Sequence, residues 1–440
     1  MHSPSLDSPS GSAPTIRITL QRRLPLFWLL LLTGTAVFLP HHTWNALLIG
    51  FGGLFLMAYL WVRLLSKGLS AERHLRFGWA AVGDRLEESF QIDNISPVPA
   101  LWVEVIDDSN VPGYTAEIVR SVGINGRDHW RQSAICQQRG RFHLGPWAIR
   151  AGDPFGFFTV TCHYPVSQEI IIHPPIHGKL PIPLPTGQRS GRARARQRVW
   201  HATVNAASVR DYHPHDPLAW IHWPTSAHRD ALFVREFDLD AAGDVWILLD
   251  MQMAVQLGTG MDGTEEQAVL LAAALVAHGL AQNRPMGVVG YGRLPQIVPP
   301  SRGEGQRWQI LQALALVRAD GETNLQRALQ DLGRRAQRGT AVILITPTAE
   351  TEWIPDLITL SQRGMQSHVI LLDRPSFGGA GHSAGMRDAI RHLGMDCQVL
   401  RQGEVGTPLQ EQAHRGFWRF LVTGTGKVVT IASPEEQYNE

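Results

Sequence analysis

Cysteine is scarce in this chain. Its 440 residues include three, Cys136, Cys162 and Cys397, and none stands at the C-x-x-C spacing of a zinc or redox site. Three reduced thiols in a cytosolic domain are the reading this supports, and a bridge between Cys136 and Cys162 is the alternative. An excess of either charge is lacking too, because 40 basic residues face 39 acidic ones. The average composition therefore gives no reason to expect nucleic acid or another polyanion as partner. No G-x-x-x-x-G-K-S/T occurs and no G-x-G-x-x-G follows a strand pattern, which leaves nucleotide binding unsupported. The nucleophile elbow G-x-S-x-G is missing as well. With Cys397 inside an apparent strand and no base in view, nothing reads as a nucleophile, and no enzymatic activity is expected.

Apolar sequence, by contrast, is plentiful. A chain that is 44% hydrophobic and 18% charged can fill two or three packed units. Two runs, Leu24 to Pro40 and Trp44 to Val62, contain no Asp, Glu, Lys or Arg. At about 1.5 Å per residue both approach the ~30 Å hydrocarbon thickness of a bilayer. They read as a transmembrane helical hairpin over 24–65, with Trp28, Trp44, Tyr59 and Trp61 as interface anchors. Arg17, Arg22 and Arg23 precede the first span, and Arg63, Lys67 and Arg73 follow the second. By the positive-inside rule both ends face the cytoplasm, making a multi-pass membrane protein with its soluble domains in the cytoplasm.

Residues 1–23 read as a disordered cytoplasmic tail, rich in Ser and Pro at its start. Residues 70–176 alternate apolar and polar in short stretches such as RLEESFQID and LWVEVID, punctuated by Val111-Pro112-Gly113 and Asn125-Gly126. That spacing predicts a small antiparallel β-sandwich domain. From 177 to 240 runs a basic linker, KLPIPLPTGQRSGRARARQR, and then a His-rich segment. The linker's arginines, Arg189 to Arg198, suit a solvated connector or contact with anionic lipid, where each cation is worth about 1 kcal/mol. They lack the interleaved aromatics of a nucleic-acid surface. Over 241–435 apolar strands alternate with helical patterns, which predicts a doubly wound α/β domain with a parallel sheet.

The candidate chemistry falls on strand ends, where such sheets bind ligands. VWILLDMQMA delivers one carboxylate, Asp250, and DGETNLQRAL places Thr323 just before a helix. A hard cation would need more oxygens than these. Gln252, Ala254 and the Thr346-Pro347-Thr348 stretch stand where further hydroxyls and a carboxylate would be wanted. Asp250 and Thr323 therefore define at most a degenerate metal site, Thr323 reads equally as a helix N-cap, and no cofactor is expected, Mg²⁺ being the only candidate. His213, His215, Asp216, His222 and His228 offer imidazole and carboxylate without a standard zinc spacing. They carry the alternative reading, a membrane-tethered metal-dependent hydrolase.

Arg210, Tyr212, Asp216, Ile221, Trp223, Ala227, Arg235 and Glu236 together resemble the signature of the bacterial family catalogued as domain of unknown function 58. The upstream stretches RGRFHLGP and DPFGFF fit the same pattern. His215 and His228 depart from it, standing where Gly and Arg are usual. The resemblance implies an α/β region similar to a von Willebrand factor type A domain, whose metal-ion-dependent adhesion site would here be degenerate. It also implies a MoxR-type AAA+ ATPase as partner, a transglutaminase-like membrane protein as a further one, and an adaptor or scaffold role in assembling a membrane or cell-surface complex.

Overall fold

The structure, a computed structural model, describes residues 14–39, 41–75, 79–176, 206–213, 221–229, 231–237, 243–405, 419–422 and 428–432. The chain divides into two compact units, 1–177 with 311–316 and 406–440, and 178–310 with 317–405. The basic linker and Asp216 lie outside the described residues.

In the first unit, strand β1 (Thr15–Leu20) leads into helices α1 (Leu24–Phe38) and α2 (His42–Gly68). Ten strands follow: β2 (Leu69–Leu75), β3 (Trp79–Ala81), β4 (Arg85–Asn94), β5 (Ala100–Asp107), β6 (Ile118–Val122), β7 (Gly126–Ile135), β8 (Gly140–Leu144), β9 (Trp147–Gly152), β10 (Phe158–Tyr164) and β11 (Gln168–His173). The tail expected to be disordered is corrected at 15–20. TIRITL alternates as a strand does and pairs antiparallel with β10, Ile16 opposite Cys162 and Leu20 opposite Phe158.

The sheets run β1-β10-β9-β5-β6, β2-β4-β7 and β3-β11-β8, antiparallel except for the β3–β11 pair. Alternation sets the core. On β4 the inward row is Leu86, Glu88, Phe90, Ile92 and Asn94, and Phe90 stacks on Trp130 and meets Trp147 edge-on. Among the described residues one helix, α2, is long and apolar enough to cross a membrane. Its last turns pack on the strands through Ala58, Val62, Leu65 and Gly68, whereas α1 buries only Pro25.

Glu88 is a carboxylate in an apolar row, and it is 2% exposed. Arg73 grips it with two bonds of 2.9 and 2.8 Å and reaches Asp107 at 2.7 Å. Tyr114 donates its hydroxyl to Glu88, and burial together with the Glu88 charge pushes the Tyr114 phenol up so that it stays a donor. Removing one member of such a buried set strands the others. Arg73→Met is expected to lower stability by about 3–5 kcal/mol, read by denaturant unfolding of the full chain in detergent; a loss under about 1 kcal/mol would place the pair among weak surface bridges.

The second unit begins with β12 (Ala206–Asp211), α3 (Trp223–Arg229) and β13 (Phe233–Phe237), the two strands forming an antiparallel ribbon. Then come β14 (Val245–Leu249), α4 (Thr264–Ala281), β15 (Met286–Gly290), β16 (Gln296–Ser301), α5 (Glu304–Leu316), α6 (Leu325–Arg335), β17 (Ala341–Thr346), α7 (Ile354–Gln362), β18 (Gln366–Leu372), α8 (Ser383–His392) and β19 (Asp396–Leu400). A further antiparallel pair, β20 (Arg419–Val422) and β21 (Val428–Ala432), belongs to the first unit. Strand order is β16-β15-β14-β17-β18-β19, parallel throughout except for β16. This is the doubly wound arrangement the sequence predicts.

β16 is the addition. Its QIVPPS sequence carries two prolines, which confine it to an edge and hide it from a search for apolar runs. One face of the sheet packs Trp246, Leu248, Val342 and Leu344 against Leu325, Ala328, Leu329 and Leu332 of α6, joined by α7 and α8. The α6 cap is Asn324, whose Oδ1 accepts from Arg327 N. Thr323, expected at that position, stands one residue earlier because Asn324 is the better placed acceptor.

Candidate functional site

β14 lies at the centre of the sheet with β15 on one side and β17 on the other. The chain leaves it toward β15 and returns on the far side at β17. That reversal is the topological switch point, where doubly wound folds open a crevice at the carboxyl ends of the strands. Asp250 follows β14 and Thr346 ends β17, so both stand at that edge.

Here the crevice is laced shut. Thr346 Oγ1 donates to Asp250 Oδ2 at 2.6 Å, and the Gln252 amide donates to Oδ1 at 3.3 Å. Gln256 Nε2 donates to the Asp250 carbonyl at 2.7 Å, while Gln256 Oε1 accepts from Thr264 Oγ1 at 2.7 Å. Thr346 Oγ1 in turn accepts the Thr348 amide at 3.0 Å. Arg374, just past β18, donates one Nη1 to the carbonyls of Val255 and Pro347, both at 3.1 Å, and so ties the β14 loop to the β17 loop.

The loop before α6 joins the same lattice through backbone. Gln252 bridges Gly321, and Met253 N donates to Gly321 O at 2.9 Å. Only glycine allows this approach, since a Cβ on Gly321 would lie 2.2 Å from the Tyr291 carbonyl. Thr323 is thereby held near the Asp250 loop, but no hydrogen bond joins Thr323 to Asp250 among the described residues.

Asp250 is 4% exposed. Burial raises its carboxyl to about 6, partly opposed by the bonds from Thr346 and Gln252 and aided by the charge of Glu350. Both of its oxygens accept hydrogen bonds from protein, and the third loop supplies a hydroxyl whose proton points at the carboxylate. Mg²⁺ keeps an octahedral shell in which several positions are water, and a carboxylate that is buried and already bonded leaves no room for that shell. These residues do not fit Mg²⁺.

The histidines are dispersed. His213 Nδ1 bonds the Asp211 carbonyl, and His222 Nδ1 bonds Thr225 at the start of α3. His228 is exposed on α3, and His215 and Asp216 lie outside the described residues. No group of three His, Cys, Asp or Glu with metal-holding geometry occurs among the described residues. In the signature, Tyr212 N donates to Leu232 O at 2.8 Å and Ile221 is buried against Val234. Trp223 and Ala227 are exposed on α3, while Arg210, Arg235 and Glu236 contribute backbone to the β12–β13 ribbon. The signature thus builds a ribbon and helix, separate in sequence from the strand-end lattice. Sequence reasoning missed Gln256 and Arg374; a lone arginine after the apolar strand HVILLD, at the same edge as Asp250, was the available signal for the second.

Residues 208–374 fit the sequence model described as Protein of unknown function DUF58, and the resemblance read from the signature is shown over that region. The uncharacterised protein YeaD of Bacillus subtilis is 23% identical over 290 residues, which is 64% of this chain and 70% of that protein. Among solved structures, a von Willebrand factor type A protein from Catenulispora acidiphila is 17% identical, with a TM-score of 0.26. The match covers 36% of this chain and 39% of that one. Proximal thread matrix protein 1 of the mussel byssus is 15% identical over 30% of this chain and 38% of its own, with a TM-score of 0.25.

Two outcomes test the lattice. An Asp carboxyl raised above its unfolded value of about 3.9 binds its proton more tightly in the fold, so its stabilising share is full below about pH 4 and falls away as pH rises to about 6. Asp250→Asn should therefore gain roughly 3 kcal/mol on the parent between about pH 4 and pH 7, in paired unfolding curves; a pH-independent difference would contradict the raised carboxyl. Gly321→Ala should lower the melting temperature by several degrees, as a loss of about 1–3 kcal/mol does.

Proposed function

We propose that the protein is a membrane-anchored, non-enzymatic adaptor whose second unit presents its strand-end loops to a protein partner. The observation that carries the docking half is the closed crevice, in which Asp250 is spent on Thr346 and Gln252 and serves as a structural pin. Around that pin the same edge offers Met253, 68% exposed after β14, and Leu294, 76% exposed in the β15–β16 turn. Apolar side chains held on rigid loops suit recognition of a partner better than turnover.

The anchoring half rests on where the exposed apolar residues are. Of the twenty-eight large hydrophobics exposed among the described residues, fifteen fall between Leu24 and Leu64. Monomeric soluble proteins rarely leave so continuous an apolar surface in water. α1 and α2 accordingly form a transmembrane hairpin, both soluble units face the cytoplasm, and the first unit is a β-sandwich next to the bilayer. The partner implied by the family is a MoxR-type AAA+ ATPase, with a transglutaminase-like membrane protein as a further member of the assembly.

The full chain should remain in the membrane fraction through alkaline carbonate washing, and release into the wash would remove the anchor. Met253→Asp combined with Leu294→Asp should weaken binding of the purified ATPase about tenfold or more, as loss of a central contact does, while leaving the fold and membrane fraction unchanged. Unaltered affinity would contradict docking at this edge.

A further inference from the structure

The turn between β9 and β10, Asp153–Phe158, is built unlike an ordinary surface loop. Asp153 is 1% exposed, and its carboxylate accepts the amides of Phe155 at 2.7 Å and Phe158 at 2.5 Å. The Asp153 carbonyl accepts Gly156 N at 3.3 Å, Asp153 N donates to Phe158 O, and the Phe157 carbonyl accepts Gln21 N at 2.8 Å. Gly156, at φ +74°, closes the turn. The amides of Phe155, Gly156 and Phe158 and the carbonyls of Asp153, Phe157 and Phe158 are thus met by protein, which lowers the cost of bringing this turn to the head-group boundary.

Its side chains are the opposite of what water favours. Phe155 is 41% exposed and Phe157 half-buried. The three rings form a chain onto α2: Phe155 to Phe157 at 6.1 Å, Phe157 to Phe51 and Phe55 at 6.1 and 5.8 Å, and Phe158 to Phe55 and Tyr59 at 4.9 and 5.5 Å. The level of the turn on the helix hairpin is therefore fixed. Leu60 and Leu64 stay exposed on α2, while Val62, Leu65 and Gly68 pack on strands below Ala58. Above it, from His42 to Met57, the helix is exposed or half-buried for about 24 Å, and α1 is about 22 Å long. α1 alone is shorter than a ~30 Å hydrocarbon core, whereas α2, at 27 residues, is about 40 Å long. At the same level as the turn, exposed Arg22 and Arg23 open α1, as cations do beside anionic head groups.

We propose that the Asp153–Phe158 turn is an interfacial lipid anchor: Phe155 and Phe157 enter the boundary between head groups and acyl chains next to α2 and fix the first unit against the bilayer. The inference rests on the reading of α1 and α2 as membrane-embedded. Insertion of apolar side chains about 5–10 Å into that boundary is the ordinary mode of interfacial segments. It extends the apolar surface beside the start of α1, the shorter of the two helices.

The test uses the full chain in vesicles of phosphatidylcholine and phosphatidylglycerol. An environment-sensitive fluorophore is attached by maleimide at Phe155→Cys, at Ile49→Cys on exposed α2, and at Ile124→Cys, whose loop joins Asn94 near the far end of α2. The native cysteines are buried, and burial pushes their thiols up to about 12, 11 and 12, so they stay unlabelled. Expected is loss of emission at positions 155 and 49 with spin-labelled acyl chains, and at 124 only with aqueous iodide. Quenching of 49 by lipid but of 155 by iodide, or of 155 by neither, overturns the lipid anchor and leaves the hairpin standing. Absence of lipid quenching at 49 sinks the hairpin and the anchor together.

Discussion

The hydrogen bond from Thr346 to Asp250 spans the one place where a doubly wound sheet is normally open. Its strength comes from burial: at 4% exposure neither the carboxylate nor the hydroxyl has water to fall back on, and an unmet partner there would cost the full desolvation of the group. Around it Gln252 donates to the same carboxylate, Gln256 and Arg374 donate to loop carbonyls, and Thr264 donates to the Gln256 side chain. The result is a strand-end surface whose polar groups face one another rather than a ligand. Loops already ordered in this way lose less entropy when a partner docks on them.

A different constraint governs the first unit. There the problem is one carboxylate, Glu88, between Leu86 and Phe90 on a buried strand face, and the answer is a bidentate arginine with a tyrosine and a second carboxylate in train. The strands that this network holds also receive the last turns of α2. The apolar helices are consequently continuous with a rigid β structure and not attached by a loose tether, which gives an anchor a defined level on the protein.

Much of this was legible in the sequence, for reasons that differ by element. Charge-free runs announced α1 and α2, and all-apolar strands such as VWILL and AVILIT announced a buried sheet, because burial on both faces leaves no room for alternation. Asp250 was legible as an isolated carboxylate at a strand end, and the missing serines signalled that a cation site was incomplete. Its actual partner was not: Thr346 lies 96 residues away, and only the return of the chain to β17 brings the two together. β1 was hidden because six residues between a Ser/Pro-rich tail and an apolar helix carry too little pattern. β16 was hidden by Pro299 and Pro300, which an edge strand tolerates and a central strand does not. The Asp153–Phe158 turn read as a family motif, and its meaning emerged only when its rings were seen against α2.

The central claim, that the switch-point crevice is filled by the protein's own hydrogen bonds, is tested most directly by calorimetric titration of the full chain with Mg²⁺ and Mn²⁺ beside Asp250→Ala. No saturable heat is expected in either protein. Saturable binding in the parent that disappears in Asp250→Ala would contradict it and restore cation-dependent capture at that edge.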